Sequence, residues 1–485
     1  MKNSVGVEQG GAGRERADLV VVHAYLLTMD AQRRVWADGA VAVRGREIVA
    51  VGPTDAVLAR WEPVRTIDAG GAVVHPGFVD CHAHVTYHLC RGAFGDTPSF
   101  GDVDPGFFVP YLNALGDDEE YASSMLAILE MLGNGTTTFM EAGTAHSPAA
   151  VAAAAEDAGM RAVVGDPFLW DVTGADGYEA PPLDRAPAST KRALDLLGTE
   201  LRRNADPDAL VTGHVALQGM GTATDELELA AKAAADAGGT VLNQHQSYFA
   251  DDTETDDRRH GRHPLVHLEE LGVLGHNCVF SHVNLIRDDE VDPVMRSGMS
   301  IAWCPAASMM WGVGGTLHGR HADLYRRGLN IALGSDSSNW GVRFDLGTQG
   351  QLAVLTQRER SGSRTALVAE DALAMATING AKAIGMGDRI GSLEVGKRAD
   401  LVVRANDVPE AHPLTDPVTQ LVYSARSKTV HTVVVDGRVV IEARQPTRVD
   451  RAAFLAGLQR TAGTVFDRMG YRWTPKWEPL DRPAA

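Results

Sequence analysis

Short apolar runs of strand length alternate with longer Ala- and Leu-rich stretches through most of the chain. Eight such runs lie between about Gly71 and Glu394. They are VVHPGFVD, TTTFME, RAVVGD, LVTGHVAL, TVLNQH, NCVFSH, SIAWC and NIALGSD. Near-continuous apolar strands are typical of a parallel sheet that is buried on both faces. Eight strand–helix units therefore predict an α/β fold, a (β/α)8 barrel of the triosephosphate isomerase type, over residues 71–394.

An open, doubly wound sheet is the alternative interpretation of the same pattern. Such a sheet usually carries a glycine-rich phosphate-binding loop after its first strand. Here the first run ends instead in Cys81-His82-Ala83-His84. We therefore favour the barrel.

The two ends of the chain show a different pattern, with short strands joined by tight polar turns. The runs are DLVVVHAYLL and AVAVRGREIVAVG near the start, and ADLVVRANDV and TVHTVVVDGRVVIEA near the end. They predict a small β-sandwich domain, built from residues 18–70 and 395–447. The remaining segments are predicted to be a disordered tail at 1–17 and a C-terminal helix and tail at 448–485.

Composition and charge restrict the class of protein. The 485 residues are 44% hydrophobic and 22% charged, which is ordinary for a soluble globular protein. The net charge of −18 argues against nucleic acid or an anionic membrane as a partner. The 4 cysteines form no CxxC pair, and we find no membrane-length apolar run or signal-peptide core. We expect a cytoplasmic protein that forms a homo-oligomer, a dimer or higher.

Four of the eight runs end in side chains that bind metals or transfer protons. His82 and His84 alternate along the first strand, so their side chains point the same way. His245, His282 and Asp336 end the fifth, sixth and eighth runs. Each alone could be a core histidine or a helix-capping aspartate. Because active sites of such barrels lie at the carboxyl ends of the strands, the set together fits a catalytic zinc-type site with one position open for water.

Motifs around these residues resemble a known superfamily. They are HPGFVDCHAHVTYHLCRG, GNGTTTFME, SHVNLIRDDE, WCPAAS, ATINGAKAIGMGDRIGSLEVGKRADLVV and VVVDGRVV. They are similar to the amidohydrolase superfamily, in the branch with atrazine and triazine hydrolases and cytosine, guanine and adenosylhomocysteine deaminases. The resemblance runs from about Asp18 to Ala443. It implies a metal-dependent hydrolase of a small molecule, with a barrel and a small β-sandwich.

The resemblance also implies roles for single residues. His82, His84, His245 and Asp336 would bind one divalent metal, with Zn²⁺ expected first and Co²⁺, Fe²⁺ or Mn²⁺ as alternatives. VTGHVALQG contains no lysine, which excludes a carbamylated lysine between two metals. A bound metal lowers the pKa of water toward ~7. Asp336 would accept the water's proton and pass it to the leaving nitrogen, and His282 would stabilise the oxyanion. No other cofactor is expected.

The substrate-binding positions depart from the family pattern. Deaminases of this branch carry HxxE on strand five, whereas this chain has Tyr248 in place of the glutamate. A phenol with a pKa near ~10 transfers protons poorly at neutral pH, although it is a good hydrogen-bond donor. Asn243 and Gln218 replace two histidines that are common in the family, and CPxSN reads Cys304-Pro305-Ala306-Ala307-Ser308.

These departures favour a substrate that needs no protonation of a ring nitrogen. We therefore predict hydrolysis of a non-peptide C–N or carbamoyl-type bond in a small apolar amide, urea or (thio)carbamate. Phenylurea and thiocarbamate (molinate) hydrolases are the natural comparisons. The alternative is a deaminase or dechlorinase of an aminated N-heterocycle such as a triazine, purine or pterin. In that case Asp251, Asp252 or Glu254 could replace the glutamate, although the segment is better explained as a solvated charged loop.

The predicted substrate-binding residues combine these polar positions with large apolar side chains. Met310, Trp311, Phe168 and Trp170 also follow strands seven and three. They suggest an apolar or aromatic substrate, although core or interface packing explains them equally well. The predicted substrate-binding set is Gln218, Asn243, Tyr248, Trp303 and Met309. A non-enzymatic member of the fold would have lost metal ligands, and none is lost. Lyase or isomerase chemistry fits the metal site less well than hydrolysis.

Overall fold

The computed structural model describes residues 13–93, 107–172, 185, 189–338, 343–472 and 477. These residues contain strands at both chain ends and in the central segment, in the following order. The strands are β1 (Glu15–Leu27), β2 (Val35–Arg44), β3 (Glu47–Pro53), β4 (Trp61–Asp68), β5 (Val73–Pro76), β6 (Phe78–Ala83), β7 (Thr136–Glu141), β8 (Arg161–Val164), β9 (Val211–Gly213), β10 (Val215–Gly219), β11 (Leu242–Gln246), β12 (Cys278–His282), β13 (Ser300–Trp303), β14 (Asn330–Leu333), β15 (Leu401–Arg404), β16 (Val430–Val435), β17 (Arg438–Glu442) and β18 (Gln445–Pro446).

Helices follow most of the central strands. They are α1 (Thr54–Arg60), α2 (Phe108–Ala114), α3 (Asp117–Gly133), α4 (Pro148–Ala158), α5 (Thr190–Leu196), α6 (Asp225–Ala237), α7 (Ala250–His260), α8 (Pro264–Leu271), α9 (Asp288–Ser297), α10 (Pro305–Met310), α11 (Gly315–His318), α12 (His321–Arg326), α13 (Leu346–Ser361), α14 (Ala369–Ala376), α15 (Ile378–Ala383), α16 (Pro417–Tyr423) and α17 (Arg451–Arg468).

The central strands form a closed parallel barrel. They pair in the orders β6-β7-β8-β9 and β10-β11-β12-β13-β14. β9 and β10 are halves of one strand, interrupted at His214, whose backbone N–H donates to the Val164 carbonyl at 3.1 Å. The barrel closes between β14 and β6, where the His84 N–H donates to the Asp336 carbonyl at 2.7 Å and the Asp336 N–H donates to the His82 carbonyl at 2.8 Å. All eight apolar runs contribute a barrel strand, which confirms the predicted fold class. Only the second half of the first run does so, because Val73–Pro76 is β5, which pairs with β1 and β15 outside the predicted barrel.

Strand alternation separates the barrel interior from the helix layer. Ala302 of β13 packs with Val279 and Ala332 of the neighbouring strands. The adjacent Ile301 and Trp303 belong to another cluster that contains many helix side chains. Helices therefore cover one face of β13, and small side chains fill the other.

The two ends of the chain join in one sheet beside the barrel. Its strand order is β18-β17-β16-β15-β5-β1-β2-β3, with β4 paired to β1. Val21 and Val41 from the first part share a buried cluster with Leu401 and Val434 from the second. The predicted small β domain from both termini is thus confirmed, while its boundary residues remain predictions.

One boundary of the predicted N-terminal tail differs from the structure. β1 begins at Glu15, so residues 15–17 belong to the sheet rather than to a disordered tail. β1 is an interior strand of this sheet. It pairs with β2 and β4, and its last residues pair with β5. Residues 1–12 of that tail lie outside the described residues, as do 473–476 and 478–485 near the C-terminus.

Candidate metal centre

The four side chains predicted to bind metal, those of His82, His84, His245 and Asp336, converge at the carboxyl end of the barrel. The Nε2 atom of His84 lies 3.1 Å from Nε2 of His82 and 3.1 Å from Nε2 of His245. Oδ1 of Asp336 lies 3.5 Å from the same His84 atom. Nitrogen ligands around a tetrahedral zinc ion, bound at 2.0–2.1 Å, would be about 3.4 Å apart. The observed spacing therefore fits one shared cation.

The second ring nitrogen of each of these three histidines has a polar neighbour. Nδ1 of His82 lies 2.7 Å from Oγ of Ser281, and Nδ1 of His84 lies 2.7 Å from Oγ1 of Thr144. Nδ1 of His245 lies 2.8 Å from the Gln218 carbonyl, so it must donate. Such contacts orient the rings and leave Nε2 free to bind a metal.

The contact to His84 continues to a buried carboxyl group. Oγ1 of Thr144 donates to Oε1 of Glu141 at 3.2 Å, and the Gly143 N–H donates to Oε2 at 2.8 Å. Burial raises the pKa of Glu141 to about 7, although these hydrogen bonds oppose the shift. The turn after β7 is thus built to hold Thr144 against His84.

His282 and Asp336 face each other at the ends of strands six and eight. Nε2 of His282 lies 3.9 Å from Oδ2 of Asp336. Both residues have left-handed backbone conformations, with φ of 72° and 66°. Non-glycine residues adopt this conformation at a cost, and they cluster at functional sites. The end of each strand is thereby bent so that its last polar side chain faces the ligand group.

Burial determines the charge of these groups. It lowers the pKa of His82, His84 and His282 well below the ordinary value, with further contributions from neighbouring histidines. The imidazoles are therefore neutral, as metal ligands must be. Burial, and then the nearby Asp80, raise the pKa of Asp336. Asp80 also accepts backbone hydrogen bonds from Ser335 at 3.0 Å and from His82 at 3.2 Å, which links strands eight and one.

Tyr248 occupies the position of the missing glutamate beside His282. Their ring centroids lie 4.2 Å apart, and the Tyr248 hydroxyl donates to the Ala307 carbonyl at 3.4 Å. Burial, then the charge of Asp336, raise the pKa of Tyr248 further above its ordinary value. The side chain is therefore a neutral hydrogen-bond donor.

The predicted charged loop after strand five is instead α7. Asp251 and Glu254 are exposed on this helix. Asp252 is buried, and its Oδ2 accepts the Tyr248 N–H at 2.8 Å. Its Oδ1 has no partner, and burial raises the pKa of Asp252 to about 7. Of the three acidic candidates, Asp252 alone is both buried and next to Tyr248.

The other polar residues predicted to bind substrate differ in position. Asn243 is fully buried, and its Oδ1 accepts from Oγ of Ser281 at 3.4 Å. It therefore lies behind His82, as a support for Ser281. Gln218 uses its carbonyl to orient His245, and its side-chain Oε1 is buried without a partner.

The apolar residues of the predicted set do not lie where expected. Trp303 is 0% exposed and stacks on His321 with centroids 4.5 Å apart, within the helix-facing cluster of β13. Its side chain therefore packs outside the barrel, because strand alternation puts Ala302 inside. Met309 is 47% exposed on α10.

Other aromatic residues surround the centre. Tyr87 stacks on His84 with ring centroids 5.0 Å apart. It shares one apolar cluster with Phe168, Trp170 and Tyr248. Phe168 and Trp170 were among the side chains that the sequence suggested for an aromatic lining, whereas Tyr87 was not. Its position, three residues after His84, is a signal that could have identified it.

Three imidazoles and a carboxylate at the carboxyl end of a (β/α)8 barrel, with His282 beside them, are the arrangement expected of a metal-dependent hydrolase. The chain matches the amidohydrolase family over residues 73–440. It belongs to that family, and it is therefore a hydrolase that acts on carbon–nitrogen bonds other than peptide bonds. Among the described residues, we find no helix with the length and apolarity to cross a membrane.

Individual relatives agree with this assignment. The chain is 34% identical to a 5-methylthioadenosine/S-adenosylhomocysteine deaminase of Syntrophobacter fumaroxidans, over 89% of this chain and 95% of the relative. A solved adenosine deaminase from Xanthomonas campestris with bound zinc superposes with a TM-score of 0.84 at 28% identity, covering 94% and 100% of the two chains. An atrazine chlorohydrolase from Arthrobacter aurescens with zinc has a TM-score of 0.82 at 22% identity, covering 92% and 100%, and shares the fold.

Proposed function

We propose that this protein is a hydrolytic deaminase of an aminated N-heterocycle of the 6-aminopurine type. The convergence of His82, His84, His245 and Asp336 carries the proposal, because it provides a complete ligand set for one divalent ion, zinc in the first place. The names of the relatives at 28–34% identity favour deamination over the cleavage of ureas or carbamates.

The bound ion would lower the pKa of a water molecule and polarise the group under attack. Asp336 would take a proton from the attacking water and deliver it to the departing amine, so that the C–N bond breaks and ammonia leaves. His282, 3.9 Å from Asp336, would stabilise the charge that develops at the reacting carbon.

Tyr248 would bind the ring nitrogen beside the reacting carbon. A hydrogen bond from its neutral phenol would draw electron density from the ring, as a substitute for full protonation by a glutamate. Asp252 supports the backbone of Tyr248 at 2.8 Å and has a free, buried oxygen.

Hydrolysis of an apolar amide, urea or (thio)carbamate is the second candidate. One observation favours it: Tyr248 stands where deaminases of the family have the glutamate that protonates the ring nitrogen. A carbonyl that is polarised directly by the ion and His282 would need no such carboxylate. The substrates named for the relatives do not support this candidate.

A substrate screen on the zinc-loaded protein distinguishes the two. We expect ammonia release from adenosine, 5′-substituted adenosines or related aminopurines, and little turnover of aryl ureas, thiocarbamates or N-acyl compounds. Turnover of the ureas or carbamates without release of ammonia from any heterocycle would overturn the deaminase proposal. Protein treated with a chelator is the control, and it should be inactive on all substrates.

Substitutions of Tyr248 test its role in this scheme. Tyr248→Phe removes the hydroxyl and should lower kcat/KM for deamination about tenfold to a hundredfold. Tyr248→Glu should raise the deamination rate without improving urea hydrolysis. Tyr121→Phe is the matched control, because that hydroxyl binds Asp157 at the surface. Unchanged deamination by Tyr248→Phe would exclude the proposed hydrogen bond.

A further inference from the structure

A second group of potential metal ligands lies away from the barrel centre, where three helices meet. Asp225 is the first residue of α6, His260 is the last residue of α7, and His267 lies in α8. One ligand atom of each lies within 4.8 Å of the other two, and all three side chains are partly exposed. We propose that Asp225, His260 and His267 form a second site for a divalent ion of the zinc class.

The three side chains are already close to a binding arrangement. Nε2 of His267 lies 2.9 Å from Oδ1 of Asp225. The rings of His260 and His267 stack with centroids 3.7 Å apart and an angle of 18° between their planes. Burial, and then the neighbouring His267, lower the pKa of His260, which favours the neutral form of that ring. A neutral imidazole is the form that binds a metal.

The surrounding charge favours a cation. Glu228 lies one turn after Asp225 on α6, and Asp256 lies one turn before His260 on α7; both are 7% exposed. Oε2 of Glu228 is buried without a partner. Arg259 binds the Gly221 carbonyl at 2.7 Å and lies 4.0 Å from Oδ1 of Asp256, so it offsets part of this charge. Because burial raises the pKa of Glu228 to about 8, the negative charge that favours a cation comes from the aspartates.

The ligand types indicate which ion. Two imidazoles and one carboxylate suit zinc or a similar transition metal, whereas Mg²⁺ and Ca²⁺ prefer oxygen ligands throughout. Three protein ligands leave a fourth position for water. Because the ligands come from three helices, the ion would join α6, α7 and α8 on the outside of the barrel.

This position gives the ion a structural role. The other end of α7 begins two residues after Tyr248, and Asp252 near that end holds the Tyr248 backbone at 2.8 Å. An ion at His260 would fix the far end of the same helix. The site therefore stiffens the element that shapes one side of the catalytic centre, whatever the substrate is.

Metal stoichiometry tests the proposal. Protein without an affinity tag is stripped of metal, titrated with Zn²⁺ or Co²⁺, desalted, and measured by mass spectrometry and by the Co²⁺ absorption bands. We expect two equivalents for the wild type and one for the His260→Ala/His267→Ala double variant. His276→Ala removes an exposed histidine outside the site and should retain two. Adding the second equivalent of metal should raise Tm in the wild type and in His276→Ala, and it should not raise Tm in the double variant.

A conservative variant separates lost ligation from altered folding. Asp225→Asn keeps a side chain that can bind His267, and it should weaken the second equivalent by at least about tenfold while the first remains. One equivalent in the wild type would overturn the proposal. A second equivalent that persists unchanged in Asp225→Asn or in the double variant would overturn it as well.

Discussion

Ser281 orients His82 from a different strand of the barrel. Its hydroxyl lies 2.7 Å from Nδ1 of His82 and donates to Asn243 behind it. Removing such a support commonly costs tenfold to a hundredfold in metal affinity, because the ring is no longer held in its binding orientation.

We therefore expect Ser281→Ala to weaken zinc binding at the barrel centre by about tenfold to a hundredfold. Competition against a chromophoric chelator measures the change. Ser124→Ala is the control, since Ser124 is also a buried serine and its hydroxyl has no partner. Equal affinities of the two variants would show that the Ser281 contact does not orient His82.

The convergence of His82, His84, His245 and Asp336 could be predicted from the sequence because parallel strands bring their carboxyl ends to one place. Ser281 and Thr144 could not be, because their contacts depend on the register between strands and on the direction of single side chains. Trp303 shows the same limit. Its position at the end of strand seven predicted contact with the substrate. Strand alternation instead turns its side chain toward the helices.

At the scale of elements, the eight barrel strands were predictable because each is a separate apolar run. α7 was not, because ADDTETDDRRH has no apolar stripe that would mark a helix. Charge explains its stability instead. Asp251 and Asp252 lie in the first turn, and Arg258, Arg259 and His260 lie in the last, which complements the helix dipole.

Arg161 joins two elements of different domains. It begins β8 in the barrel and binds Asp400 and Asp436 of the terminal sheet, each at 2.9 Å. Burial alone would lower the pKa of Arg161, but the two carboxylates outweigh it and raise the pKa. All three side chains are at most 10% exposed.

We expect Arg161→Met to lower the free energy of unfolding by about 3–5 kcal/mol, since it leaves the buried carboxylate of Asp400 without its cation, whereas Asp436 keeps Arg46 at 3.3 Å. Urea denaturation measures the change. Lys191→Met, which breaks an exposed pair with Asp195, is the control and should change stability little. A similarly small effect of Arg161→Met would mean that this buried ion-pair group does not stabilise the contact between the two domains.

At the scale of the whole molecule, buried acids make stability depend on pH. Burial, then the charges of nearby aspartates, raise the pKa of Glu228 to about 8 from 4.5. Between these values the folded protein holds a proton that the unfolded chain has released. The contribution of Glu228 to stability is therefore complete below pH 4.5, and it is lost by about 1.4 kcal/mol per pH unit as the pH rises from there to about 8.

Glu228→Gln removes this titration. We expect the variant to gain stability relative to the wild type between pH 6 and pH 9, as measured by urea denaturation at each pH. Glu226→Gln, an exposed residue two positions away, is the control. Parallel stability curves for wild type and Glu228→Gln would contradict the raised pKa.

The barrel closes where its first and last strands meet, at the hydrogen bonds between His82, His84 and Asp336. These residues are separated by almost the whole barrel in the order of synthesis. A growing chain carries His82 and His84 for a long time before Asp336 exists, and contacts this distant in sequence form slowly. The ligand set is therefore complete only after the eighth strand has been added. A metal ion held by these side chains would therefore bind late in synthesis, once the first and last barrel strands have paired.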